Sequence, residues 1–112
     1  MPYHRIRTTP PDREAARQMI LSRTSPSVLP EDPDYGQLRR ILSAQIHGDI
    51  RESDLFDVID LQDQLYDVGT GSHPDQRTNR SGTIDNTADL QDQIEDNLNA
   101  NVNTLLDYAG VK

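Results

Sequence analysis

The chain contains no cysteine and no tryptophan, and it has one phenylalanine, Phe56, and one lysine, Lys112, in 112 residues. Without cysteine, neither a disulfide framework nor a thiolate metal site can form. No run approaches the roughly 20 apolar residues that a membrane-spanning helix needs. The opening stretch MPYHRIRTTPPD also lacks the apolar segment of a signal peptide. We therefore expect a protein made in the cytoplasm, with no membrane partner.

Acidic residues dominate what is present, with 19 Asp and Glu against 11 Lys and Arg and a net charge of −8. Residues 1–23 sum to +3, whereas residues 49–112 carry four cations against fourteen carboxylates. An acidic body repels phosphate, so nucleic acid is disfavoured as a partner except through the basic arm. The length suits one domain. We expect an extended arm over residues 1–9 and a single small helical domain over residues 10–112.

Apolar periodicity predicts an all-α fold of about four helices, over residues 10–22, 35–47, 53–68 and 87–109. The clearest stripes are those of the third and fourth helices, where apolar residues recur at steps of three and four. The fourth helix contains four asparagines, which are poor helix formers, so its stability should depend on packing. Between the helices we expect a proline-rich linker with Pro26, Pro30 and Pro33, and a long polar loop over residues 69–86.

Several residues are of the types that begin or end helices. Thr9 is a candidate N-cap, with Pro10 and Pro11 in the first turn of the helix. Asp34, Ser53 and the segment 85–87 are candidate caps for the other three helices. Gly48 and Gly69 are expected to end the second and third helices, and Gly48 in particular is expected to be left-handed.

An acidic phrase occurs twice, as DLQDQLYD over residues 60–67 and DLQDQIED over residues 89–96. Its two apolar positions are four apart and therefore share one helix face. Calcium binding is disfavoured because neither copy has the loop pattern of a calcium site. A duplicated helical unit is a second interpretation, but the identity does not extend upstream of the phrase. Convergence of two acidic amphipathic helices is the favoured interpretation.

No convincing catalytic set is present, and we expect neither an enzyme, a cofactor nor a small-molecule substrate. Ser72, His73 and Asp75 are sequence neighbours, but a catalytic triad is assembled by the fold and rarely from adjacent residues. The three histidines, His4, His47 and His73, lack metal-ligand spacing.

The thin apolar stripes and the basic arm favour a non-enzymatic structural subunit of a large assembly. A virion component, such as a phage head, neck, tail or baseplate accessory or adaptor protein, is the specific expectation. The expected partners are proteins, including copies of the chain itself. The predicted interface residues are Tyr3, Arg5, Ile6, Arg7, Leu55, Val58, Leu65, Leu90, Ile94, Leu98, Val102 and Leu105.

The alternative is an acidic regulator or inhibitor that binds a basic protein surface, and imitation of DNA is one form of this alternative. A DNA mimic needs its carboxylates in exposed rows, whereas a structural subunit needs them scattered around apolar stripes. The sequence pattern favours the scattered arrangement.

Overall fold

A computed structural model describes residues 9–24 and 35–112. It contains helices α1 (Arg13–Thr24), α2 (Tyr35–Ile46), α3 (Glu52–Thr70) and α4 (Thr87–Ala109). No strand occurs within these two ranges, where the β-structure is one isolated bridge between Thr78 and Ile84. The predicted all-α fold of about four helices is confirmed. The predictions for the arm, for the Asp34 cap and for the linker prolines lie outside the described residues.

Helix α1 begins three residues later than predicted, after both prolines. The Asp12 carboxylate accepts a hydrogen bond from the Ala15 backbone N–H at 2.7 Å. This contact is the N-cap bond, and aspartate forms it more strongly than threonine. The prediction that Thr9 caps this helix was therefore wrong.

The left-handed residue after α2 is His47, one position before Gly48, which was predicted to be left-handed. His47 has φ +57°, and Gly48 follows it with its N–H donating to Ser43 O at 3.1 Å. This is the six-residue bond of a Schellman end, with histidine in the left-handed position. Gly48 has a different role, since a Cβ there would lie 2.4 Å from the carbonyl oxygen of Ala109. The glycine permits close approach of the two backbones.

Helix α3 passes through Gly69, which was predicted to end it, and stops at Thr70. Gly71 takes the left-handed conformation with φ +78°, and Ser72 N–H donates to Asp67 O at 2.7 Å. The start of α3 also differs from the prediction: the helix begins at Glu52, one residue before the predicted cap Ser53. Helix α4 has the predicted bounds and ends at the left-handed Gly110.

Helices α3 and α4 form an antiparallel hairpin, and α1 and α2 pack on one end of it. The Arg51 guanidinium lies 4.5 Å from the centre of the Tyr108 ring, joining the start of α3 to the end of α4. Arg13, at the start of α1, forms an ion pair with Asp107 at 2.9 Å and donates to Val111 O at 2.9 Å. One buried apolar cluster draws side chains from all four helices.

The loop between α3 and α4 is held by its own side chains. Asn86 is buried; it accepts a hydrogen bond from Arg77 N–H at 2.8 Å and donates one to Asp75 O at 2.9 Å. Gln76 donates to Val68 O at 3.1 Å and to Thr87 Oγ1 at 3.2 Å. These bonds tie the loop to both helices of the hairpin.

Replacing Asn86 by alanine is expected to lower the free energy of unfolding by roughly 1–2 kcal/mol, because two backbone groups lose their partner. Urea denaturation followed by circular dichroism measures the change. Asn97→Ala, at an exposed position within α4, is the matched control and should be neutral or slightly stabilising. Equal midpoints for Asn86→Ala and the wild type would show that the side chain does not hold the loop.

Candidate interaction surface

One side of α3 combines carboxylates with an exposed aromatic ring. Glu52, Phe56, Asp60, Asp63 and Asp67 follow one another at steps of four, four, three and four, which places them on a single helix face. The first four are exposed and Asp67 is half-buried. The buried residues of α3 lie on its other side. We call these five residues the α3 outer face.

The carboxylates on this face lie close enough to affect one another. The pKa of Asp63 is raised above its ordinary value, first by partial burial and then by the negative charges of Asp60 and Asp67. Helix α3 contains no lysine, arginine or histidine, and the ion pairs within residues 9–24 and 35–112 involve none of the carboxylates on this face. The row is therefore a surface with an excess of one charge sign.

A shallow cavity adjoins the aromatic part of the α3 outer face. It has a volume of about 380 Å³ and is lined by Tyr35, Glu52, Ser53, Phe56 and Asp57. The Tyr35 and Phe56 rings are tilted at 57° to each other with centres 5.8 Å apart, and Phe56 remains 52% exposed. The cavity therefore joins aromatic surface to two carboxylates.

Helix α4 carries a second acidic row on the side turned away from the core. Asp89, Asp92 and Asp96 follow steps of three and four and are exposed. Farther along α4, α1 contacts the helix: Arg17 donates to Asn99 and Arg13 donates to the Asn103 side chain at 3.3 Å. The hydrogen bonds from α1 reach Asn99 on α4, and the acidic row lies beyond it, nearer the loop.

The two helices of the hairpin together carry six carboxylates on α3, five on α4 and no basic side chain. Within the described ranges, two of these carboxylates form ion pairs, Asp54 with Arg51 at 3.0 Å and Asp107 with Arg13 at 2.9 Å. Asp60 and Glu95 receive hydrogen bonds from neighbouring glutamines. Seven of these eleven carboxylates form the two rows, and Asp54, Asp57, Glu95 and Asp107 lie outside them, so the arrangement is partly aligned and partly scattered.

The predicted interface residues of α3 and α4 occupy the core of the chain itself. These side chains are covered intramolecularly, so a contact of theirs with a second chain stays a prediction. The buried ones are Leu55, Val58, Ile94, Leu98, Val102 and Leu105. Leu65 and Leu90 are partly buried against the same cluster. Tyr3, Arg5, Ile6 and Arg7 lie outside the described residues.

Sequence reasoning missed Phe56, which is absent from the interface residues predicted above. The buried positions Leu55, Val58, Ile59 and Leu61 define the core side, and Phe56 falls outside their arc. Its offset from Leu55 by one residue, about 100° around the helix, was the available signal. The charged pattern at Glu52 and Asp60, four residues on either side of it, was the other.

The Ser72 and His73 side chains form local hydrogen bonds, and Asp75 takes part through its backbone. Thr70 Oγ1 donates to Ser72 Oγ at 3.1 Å, and His73 Nδ1 accepts a hydrogen bond from the Asp75 backbone N–H at 3.1 Å. Residues 9–24 and 35–112 contain no group of three or more potential metal-ligating side chains. In the same part of the chain, no helix has the length and apolar character required to cross a bilayer.

Because its pKa is raised, Asp63 is expected to contribute less to the stability of the folded chain as pH rises. The folded state binds the Asp63 proton more tightly than the unfolded state, whose pKa is about 3.9. The contribution is fully favourable below the unfolded pKa, and it is lost as pH rises through the folded pKa. At pH 7, Asp63→Asn should raise the free energy of unfolding by about 0.3–0.5 kcal/mol, the size of like-charge repulsion on a helix.

Urea denaturation of Asp63→Asn at pH 7 and at pH 3 measures this effect, and the gain should disappear at the lower pH. Asp89→Asn is the control, since Asp89 lies in the first turn of α4, where the helix dipole favours a carboxylate. That control should be neutral or slightly destabilising at pH 7. A loss of stability in Asp63→Asn at pH 7 would contradict the repulsion along the row.

Comparison of the chain with protein-family models, with curated proteins and with solved structures finds no match.

Proposed function

We propose that the chain is a non-enzymatic structural subunit of a larger protein assembly and that it contacts a basic segment of a neighbouring chain through the α3 outer face. The observation that carries the proposal is the combination, on one helix face, of four carboxylates with a half-exposed phenylalanine beside a cavity. An exposed aromatic ring at a cavity is a typical anchor of a protein interface. A virion subunit is the specific form that we propose.

The charge of this face favours a basic partner. An interface with complementary charge is steered towards the right partner and away from like-charged surfaces. Helices α3 and α4 themselves contain no lysine or arginine. A neighbour presenting arginine and apolar side chains together would match both parts of the face.

The test uses the tagged chain purified from its source together with its bound partners. One triple variant reverses the charge of the α3 row by the substitutions Asp60→Lys, Asp63→Lys and Asp67→Lys. A matched triple variant reverses the charge of the α4 row by the substitutions Asp89→Lys, Asp92→Lys and Asp96→Lys. Quantitative mass spectrometry should find a stoichiometric set of partners with the wild type and with the α4 variant, but not with the α3 variant. Equal partner recovery by all three proteins would contradict the proposal.

A second candidate function is an acidic regulator that imitates DNA, because α3 and α4 each display an exposed row of carboxylates. In that case both triple variants should lose the same partner, a DNA-binding protein. Duplex DNA should then compete with the wild-type chain for that partner in fluorescence anisotropy. Loss through the α3 row alone favours the assembly subunit.

A further inference from the structure

We propose that the cavity between Tyr35 and Phe56 binds the N-terminal arm, residues 1–8, of a second copy of this chain. The proposal rests on the proposed function and names the partner of the α3 outer face. It assigns to the cavity an extended segment with apolar side chains between cations. Reciprocal exchange of two arms would close a symmetric dimer, in which each copy provides one arm and one cavity.

The lining of the cavity suits a ligand that has both apolar and cationic side chains. Phe56 is 52% exposed, and its ring and that of Tyr35 supply apolar surface. Glu52 and Asp57 also line the cavity and are exposed. No described ion pair uses either carboxylate. An apolar side chain in the cavity would contact the two rings, and a cation on each side of it would pair with the two carboxylates.

The arm has the complementary order of residues. It reads MPYHRIRT, with Arg5 and Arg7 on either side of Ile6 and with no carboxylate. In an extended segment, successive side chains point to opposite sides. Ile6 can therefore enter the cavity while Arg5 and Arg7 remain outside it, within reach of Glu52 and Asp57.

The place where the arm leaves the fold favours a second copy over the same chain. Pro10 and Pro11 line a depression with Ile46 and His47, at the end of α2 opposite Tyr35. Because proline disfavours the helical conformation at the residue before it, Thr9 and Pro10 do not begin a helical turn back towards Tyr35. An extended arm of eight residues reaches roughly 26–29 Å, enough to cross to a neighbouring copy.

The absence of cysteine allows a direct test by disulfide cross-linking. One full-length chain carries Thr8→Cys and another carries Ser53→Cys, and the two are mixed and oxidised. Ser53 is exposed at the cavity, and Thr8 is next to Arg7 without replacing an arm residue used in docking. Ala100→Cys, at an exposed position on α4, is the matched control for Ser53→Cys. We expect a product of twice the 12.6 kDa chain mass to form several-fold faster with Ser53→Cys than with Ala100→Cys.

A chain that carries both Thr8→Cys and Ser53→Cys distinguishes the two connections. Disulfide-linked dimers support exchange between copies, whereas a disulfide-closed monomer overturns the proposal because the arm then occupies its own cavity. Equal cross-linking with Ser53→Cys and Ala100→Cys would also overturn it.

Charge reversal gives an independent readout by sedimentation equilibrium. Two double variants, Arg5→Glu/Arg7→Glu and Glu52→Arg/Asp57→Arg, should each weaken self-association at least about tenfold, since each disrupts four exposed ion pairs per dimer, two at each arm. A mixture of the two variants should recover association, because in the mixed dimer the acidic arm of one copy meets the basic cavity of the other, and the unchanged basic arm meets the unchanged carboxylates; a mixture that does not recover would contradict exchange between copies. All four substitutions in one chain should recover association, and failure to recover it would contradict the pairing.

The two proposals can fail separately. If cross-linking finds no arm in the cavity but partners are still lost through the α3 row, the chain remains an assembly subunit with another basic partner. If the arm is found in the cavity but no further partners purify with the chain, the self-contact stands and the larger assembly does not.

Discussion

Ile94→Asp is expected to be strongly destabilising. Ile94 is 4% exposed within the core cluster, in the first half of α4. The substitution removes a large buried aliphatic side chain and places a carboxylate among apolar neighbours. A loss of more than about 4 kcal/mol follows, which is a large part of the 5–15 kcal/mol that stabilises a typical domain. Far-UV circular dichroism and urea denaturation measure it.

Two companion variants separate the effect of burial from that of charge. Gln93→Asp places the same carboxylate at the neighbouring exposed position and should leave the helix signal nearly unchanged. Ile94→Ala removes the buried methyl groups without a charge and should reduce stability by about 2–5 kcal/mol. An Ile94→Asp protein with the wild-type spectrum and urea midpoint would show that this stripe is not the core.

Gly48→Ala is expected to reduce the free energy of unfolding by about 3 kcal/mol. The new Cβ would lie 2.4 Å from the carbonyl oxygen of Ala109 and 3.0 Å from its Cβ. The contacted oxygen belongs to the backbone at the end of α4, so it cannot rotate away as a side chain would. The upper part of the range for overpacking therefore applies.

Gly69→Ala is the matched control and should change stability in the opposite direction. Gly69 lies within α3, and a Cβ there would have no neighbour within 4 Å. Alanine at this position should stabilise the chain by about 0.5–1 kcal/mol, because it has the higher helix propensity. Thermal or urea denaturation of both variants checks the signs. A stabilised Gly48→Ala protein would contradict the close approach of residue 48 to α4.

Among the four helices, α4 has the bounds that the sequence pattern predicted. For α4, a stripe from Leu90 to Leu106 followed by Gly110 was sufficient for the correct bounds. At the start of α1, both Thr9 and Asp12 were possible caps, and the hydrogen bond to Ala15 distinguishes them. At the end of α2, the contact with Ala109 explains why the glycine follows the left-handed residue. That contact joins residues 61 positions apart and leaves no local pattern.

The repeated acidic phrase has a structural explanation in the hairpin. The first copy lies within α3, and the second lies near the start of α4. In each copy one apolar residue is buried, Leu61 and Ile94, while its partner four residues away, Leu65 or Leu90, is partly buried. The same spacing thus supports the same core from two antiparallel helices. Independent adoption of one amphipathic pattern remains sufficient to account for it.

The candidate surface could be predicted only in part. The acidic composition of α3 and α4 was evident from the sequence, and their alignment in rows follows from helix geometry once the buried side is known. The exposure of Phe56 depends on where α2 and its Tyr35 pack, which no local pattern specifies. The role of Asn86 was also missed, because it bonds to backbone groups nine and eleven residues away.

Sedimentation equilibrium of the intact chain, with circular dichroism on the same samples, tests the central claim most directly. The claim is that the apolar stripes close within one chain and that its charged α3 outer face makes the contacts between chains. At about 0.1 M salt, the mean mass should rise above 12.6 kDa with concentration, and it should return to that value at 1 M salt, where surface charges are screened. Helicity should be high and constant throughout. Association that persists at 1 M salt, with helicity that grows with concentration, would contradict the claim, because the apolar stripes would then be shared between chains.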